Sequence, residues 1–182
     1  GLNALIATVS THASAPVIAA TRLRKGSTNS VRGAAKLLAD ALATARRAGA
    51  TGRLVVRADS AFYGHDIVEA CHRAGARFSL TARHTKTVHR AMAAIPDTAW
   101  VAIRYPNALY DESEQRWISD AEVAETTFTA FTGRRKAEHV TARLIVRRVR
   151  RLNPATRARG GQDELFAAYR YHAVFTDSPE SM

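Results

Sequence analysis

Among the acidic, histidine and cysteine side chains of this sequence, Asp59 has the setting best suited to chemistry. It closes the run Leu54 to Ser60, LVVRADS, in which Leu54, Val55 and Val56 are continuously apolar, as in a strand covered on both faces. A carboxylate at the carboxyl end of such a strand lies where open α/β sheets place ligands and reactions, because the loop faces a crevice while the strand fixes its position. A lone Asp after a strand also serves as a cap for the next turn, and both roles stay open at this point. The seven histidines are scattered; His65 and His72 lie seven apart on an expected helix and read as surface or supporting groups. The single cysteine, Cys71, excludes an internal disulfide and a cysteine zinc site, and it falls in an apolar helical stripe as a small buried thiol. No Walker loop, GxGxxG, zinc spacing or GxSxG occurs, so nucleotide hydrolysis, dinucleotide binding and nucleophile-elbow chemistry have no support.

The elements that must position Asp59 follow from the periodicity. Leu5 to Ser10 and Pro16 to Leu23 are strand-like runs joined through Thr11 to Ala15, which makes a β-hairpin the simplest joint. Ser30 is a suitable N-cap for a helix with apolar positions Val31, Ala34, Ala35, Leu38, Ala41, Leu42 and Ala45, ended by Gly49. Arg46 and Arg47 in its last turn complement the helix dipole. After the Asp59 strand, a helix from about His65 turns Ile67, Val68 and Cys71 inward and stops at Gly75, and Arg77 to Thr81 forms the next strand. A strand, helix, strand unit of this size makes a parallel crossover, so Asp59 and Arg83 emerge at the same edge of the sheet. Val88, Met92 and Ile95 mark a short helix closed by Pro96, and strand-like pieces follow from Trp100, ending in the aromatic run Leu165 to Thr176 and a turn at Asp177, Ser178 and Pro179. Residues 157–163 read as a flexible loop.

The 182 residues suffice for one sizeable core, and 46% hydrophobic with 24% charged residues is globular composition. The net charge of +11 and pI near 10.8 call for a polyanionic partner, nucleic acid ahead of membrane; the arginine and alanine richness is also what the codon bias of a GC-rich genome would produce, which weakens the charge argument without removing it. No run approaches a membrane span, no signal peptide is evident, and a reducing cytoplasm fits the lone cysteine. The charge is segregated: residues 109–125 are acidic, residues 134–159 strongly basic. In LIVRRVRRL, Leu144, Val146 and Val149 interleave with Arg147, Arg148, Arg150 and Arg151, giving one buried and one cationic face if extended. Such a strand is either a solvated edge whose charges block aggregation or a phosphate-contact surface.

The segments GLNALIATVST, APVIAATRLRKGSTNS, VVRADSAFYGHDIV, RRKAEHVTARLIVRRVRRLNP and YRYHAVFTDSP resemble successive pieces of bacterial insertion-sequence DDE transposases, of the actinobacterial type with a β-strand insertion in an RNase H-like core. The resemblance covers nearly the whole chain. It implies an enzyme of DNA transposition in which three carboxylates hold two Mg²⁺ (or Mn²⁺) ions for cleavage and strand transfer at a DNA phosphodiester. Asp59 matches the second acid, as catalytic residue and metal ligand. The family's first Asp precedes the GLNAL segment and its Glu follows FTDSP, so neither has a counterpart here, and Asp177 and Glu180 do not replace them. Opening on GLNALIATVS, in what reads as mid-strand and without an initiator Met, suggests a piece of something longer.

The expectation is therefore an α/β fold, an RNase H-like mixed sheet with flanking helices, incomplete, plus a β-rich insertion. Residues 1–83 form the partial core, 84–164 a short helix and the insertion, and 165–182 the strand returning to the core. The implied partner is double-stranded DNA, both transposon ends and target, contacted through Arg134, Arg135, Lys136, Arg147, Arg148, Arg150 and Arg151, with no membrane and room for a homodimer in the DNA complex. The implied location is the bacterial cytoplasm, at the nucleoid. Two other readings remain: a truncated, inactive DNA-binding remnant, and a metal-dependent phosphohydrolase using Asp59.

Overall fold

The computed structural model describes residues 1–29, 31–103, 110–112, 115–117, 121–150 and 169–179. Among the described residues there are ten strands and three α-helices, and six of the strands form one mixed sheet in the order β3-β4-β10-β9-β8-β5. The chain divides into two compact units: Gly1–Arg83 with Thr129–Ala142 and Phe175–Met182, and His84–Phe128 with Arg143–Val174.

The first unit opens with the antiparallel hairpin β1 (Leu2–Thr11) and β2 (Ser14–Lys25), a sheet of its own. The expected hairpin is present with longer strands, and its register shifts between Ala7 and Thr8 and again before Thr11. Leu5 is its buried residue, while Leu2, Ile6, Val17, Ile18 and Leu23 are exposed. Helix α1 (Ala34–Arg47) packs on this hairpin with Ala34, Leu37, Ala41, Leu42 and Ala45 buried. The helix starts at Ala34 rather than at Val31, because Gly33 takes the left-handed conformation at φ 80 that precedes it. The expected cap, Ser30, lies outside the described residues. Gly49, at φ 94, follows its end as expected.

Strand β3 (Val55–Ala58) is parallel to β4 (Arg77–Thr81), with Val55 opposite Arg77 and Ala58 opposite Leu80. Helix α2 (His65–Arg73) makes the crossover and buries Ile67, Val68, Ala70 and Cys71. One expectation is corrected here: β3 is not covered on both faces. Among the described residues it is the edge strand of the sheet, its residues alternate exposed and half-buried, and Val55 is 38% exposed. The core of this unit lies one strand further in. Phe78 of β4 and Phe175 of β10 (Tyr169–Thr176) are fully buried with ring centroids 5.2 Å apart, each burial stabilising by about 1.5–3 kcal/mol. Asp177 joins the two strands: its Oδ1 accepts the Phe78 N–H at 2.7 Å, and its own N–H is donated to the Phe78 carbonyl at 3.3 Å.

The second unit begins with α3 (Lys86–Ala93), capped by the Thr85 hydroxyl, which accepts the Val88 N–H, with Val88 and Met92 buried. Strand β5 (Val101–Ile103) is antiparallel to β8 (Ala121–Ala130), and β6 (Tyr110–Asp111) pairs with β7 (Arg116–Trp117). Strand β9 (Val140–Arg150) neighbours β8 and β10 in the sheet order and carries the buried Leu144 and Val146. Among the described residues no helix is long and apolar enough to cross a membrane.

Candidate active site and basic strand

Asp59 leaves the carboxyl end of β3 in extended conformation and is exposed. Its Oδ1 accepts the Ala61 N–H at 2.8 Å, so the carboxylate caps the single 3₁₀ turn Ser60–Phe62. Among the described residues that is its one hydrogen bond, which leaves Oδ2 to solvent. The parallel pairing of β3 and β4 brings Arg83 to the same end, where its Nη2 reaches the Ser60 and Ala61 carbonyls at 3.4 Å each. Behind the turn, the Tyr63 ring lies 5.4 Å from Phe131 and 6.1 Å from Phe175, and burial pushes its phenol up to about 12. Phe131, in the loop between β8 and β9, has φ 62, an uncommon conformation for a residue with a side chain.

The first turns of α2 bring together His65, Asp66 and Glu69, whose ligand atoms lie within 4.8 Å of one another. The His65 Nδ1 is buried without a hydrogen-bond partner, 3.7 Å from Asp66 Oδ1. Arg134 already occupies that carboxylate: its Nη2 is 3.3 Å from Asp66 Oδ1, while Nη1 donates to Glu138 at 2.7 Å. The hydrogen bond from Arg134 holds the Glu138 carboxyl below its ordinary value.

The basic strand differs from the single cationic face expected from LIVRRVRRL. Successive strand residues point to opposite faces, so Arg147 and Arg148 part company. Arg148 shares the side of Leu144 and Val146, is 11% exposed, and donates from Nε to Glu122 at 2.7 Å, with Asp97 at 3.3 Å. Its guanidinium lies 4.1 Å from the Trp100 ring centre and 4.6 Å from that of Tyr169. Arg147 faces the other side, with Arg143, which binds Glu125 through two hydrogen bonds at 2.5 and 2.6 Å. That fork draws the Glu125 carboxyl below its ordinary value. Arg135 and Lys136 are exposed in the β8–β9 loop. Arg150 ends β9 with its side chain outside the described residues, and Arg151 lies outside them altogether.

Residues 13–155, well over half of the chain and including Asp59, match the family described as Transposase DDE domain group 1. The chain belongs to the DDE transposases. No curated protein matches it. Membership brings the chemistry of transposition, a DNA substrate and the divalent metal that DDE transposases generally use. The residues present fit that metal only in part. Asp59 offers one hard, exposed oxygen of the kind Mg²⁺ selects. Among the described residues, however, no set of three candidate ligands includes it, and the set on α2 is already bridged by Arg134.

Reading the transposase chain as a sequence missed two arrangements. Asp66 with Arg134 joins positions 68 residues apart, which no local period reveals. Arg170 and His172, on the strand face opposite the buried Ala173 and Phe175, were signalled by the alternation in YRYHAVF.

Proposed function

We propose that the chain is a portion of the catalytic domain of a DDE transposase of the actinobacterial insertion-sequence type, an RNase H-like core with a β-rich insertion, divided as 1–83, 84–164 and 165–182. The parent enzyme cuts and joins DNA at transposon ends by phosphodiester hydrolysis and transesterification, with Mg²⁺ or Mn²⁺ as the metal. Asp59 supplies one carboxylate to the metal site. The observation that carries this role is its placement: an exposed carboxylate at the tip of a strand, one oxygen fixed by the Ala61 N–H and the other open. Arg147, Arg135 and Lys136 contact DNA phosphate, whereas Arg148 and Arg134 serve internal ion pairs. The test is Asp59→Asn in a complete transposase of this type, which keeps size and hydrogen bonding but removes the anionic ligand. Nicking of transposon ends should fall while end binding persists; near-normal nicking would refute the role.

A second reading, an inactive DNA-binding remnant, is favoured by the absence of a three-ligand set around Asp59 among the described residues. Under it, the 182-residue chain binds DNA in a salt-sensitive way and does not nick it with Mg²⁺.

A further inference from the structure

The Asp59 carboxylate is only as well placed as the turn that follows it, and that turn has little of its own to hold it. Among the described residues its backbone bonds run from the Phe62 N–H to the Asp59 carbonyl at 3.1 Å and from the Tyr63 N–H to the Ser60 carbonyl at 3.4 Å. With the Ala61 N–H on Oδ1 at 2.8 Å these close a single 3₁₀ turn, and a short exposed turn of this kind opens readily when nothing packs on it. The Arg83 contacts, at 3.4 Å, lie at the outer limit of hydrogen bonding.

What packs on the turn comes from the loop after β8. The Phe131 ring centre lies 5.4 Å from that of Tyr63, which ends the turn, and meets His65, which opens α2, edge-on at 5.8 Å. It therefore lies against both neighbours of Gly64, the joint between turn and helix. Phe175 backs the pair, 6.1 Å from Tyr63 and 6.4 Å from Phe131. All four residues belong to the first unit. The loop is braced in its own right: the Phe131 carbonyl accepts the Arg134 N–H at 2.9 Å, and Arg134 ties to Asp66 at 3.3 Å and to Glu138 at 2.7 Å.

At φ 62 the Phe131 backbone sits in the left-handed region, which is costly for a residue with a side chain and persists only where the surroundings hold it. Gly133, two residues on, could adopt such a φ freely and does not. Filling a core needs no such conformation. Falling immediately after β8, it breaks the strand's alternation of sides and delivers the ring to Tyr63. We propose that Phe131 is a positioning residue for the Asp59 carboxylate: through Tyr63 and His65 it clamps the turn that fixes Oδ1, so that Oδ2 is presented to a divalent cation in one direction. The proposal rests on the reading of Asp59 as a metal ligand and adds the residue that holds that ligand still.

The test compares the 182-residue chain with its Phe131→Asn, Phe131→Ala and Phe131→Tyr variants by amide hydrogen exchange in NMR spectra. Asn accepts a positive φ, so that variant keeps the backbone and loses the ring. In the Asn and Ala variants the Ala61 and Phe62 amides should exchange on the order of tenfold faster, while the Phe78 amide, held by Asp177 at 2.7 Å, keeps its rate. Phe131→Tyr, which retains the ring, should exchange as the parent does. Equal acceleration of Ala61 and Phe78 in Phe131→Asn, or an unaltered Ala61 amide in both ring-less variants, would overturn the clamp. Mn²⁺ alone then probes the carboxylate, because its paramagnetism should broaden the amide signals of Asp59, Ser60 and Ala61. The concentration that halves them should rise about tenfold in Phe131→Asn, the lower end of what losing a ligand's support costs. An unchanged Mn²⁺ midpoint beside a faster Ala61 amide would overturn the positioning role. Broadening of the turn that is the same in Asp59→Asn as in the parent would overturn the metal role of Asp59 instead, and the exchange difference would keep Phe131 as the clamp of that turn.

Discussion

Arg148 separates an internal arginine from a DNA-contacting one, and its replacement by methionine is the sharpest test of that division. Methionine keeps most of the unbranched stem packed while removing the guanidinium. Losing the hydrogen bond to Glu122 at 2.7 Å removes a charge-assisted contact of about 1.5–3 kcal/mol. Stacking over Trp100 and Tyr169 at 4.1 and 4.6 Å adds about 0.5–1 kcal/mol for each ring. The contact with Asp97, whose side chain is 93% exposed, adds little. Glu122 keeps partial solvent access and recovers some hydration in the variant, so the net loss is about 2–4 kcal/mol. In a chain of this length that lowers the melting temperature by roughly 5–15 °C. Differential scanning fluorimetry or circular dichroism measures the shift, and Trp emission should change as the cation leaves the indole face. The salt slope of DNA binding, measured well below the melt, should stay as in the parent. An unchanged melting temperature together with a slope reduced by about one would refute the reasoning and put the Arg148 guanidinium on phosphate.

Asp177→Ala should destabilise the first unit by about 1–3 kcal/mol, because the Phe78 N–H loses its 2.7 Å acceptor in a half-buried site; chemical denaturation measures it, and a change below a few tenths would refute the joint. The Glu125 carboxyl is held below its ordinary value by Arg143, so its contribution is complete above the unfolded carboxyl value and is lost as pH falls through the folded one. Glu125→Gln should accordingly remove part of the acid-side fall in stability, and an identical pH profile would count against the pair. The exposed Ile6, Ile18 and Leu23 form apolar surface on the outside of the hairpin. Replacing all three by Thr should lower concentration-dependent light scattering without lowering the melting temperature, and a large drop in that temperature would show that the face is covered.

The parts legible in the sequence are those with a strong local period. The hairpin, α1, α2, β4 and α3 announce themselves through alternation or a 3.6-residue stripe closed by Gly49, Gly75 or Pro96. Strand β3 was legible as a strand but not as an edge, because an apolar run of three reports hydrophobicity and not which flank is paired. Asp59 stood out by position, and its capping bond to Ala61 is the short-range feature that such a position implies. The basic strand was misread for a reason of period: two adjacent arginines cannot share one strand face, so counting Arg147 and Arg148 together overstated the cationic side. What recruits Arg148 inward is Glu122 and Trp100, 26 and 48 residues away, and pairing over such separations is decided by tertiary packing.

The one-sided pairing of β3 also writes itself into the exchange of amide hydrogens. Because the Leu54 carbonyl accepts from Arg77, the even-numbered members Val56 and Ala58 direct their amides toward β4, and Val55 and Arg57 direct theirs to the flank that no strand among the described residues pairs. In deuterated water the strand should therefore show a fast, slow, fast, slow record over four consecutive residues. Asp59, just beyond, inherits its place from the slow pair alone. Any partner strand that completed the flank would erase the alternation, so the isotope pattern of four amides reports whether the tip that carries the carboxylate is held from one side or from two.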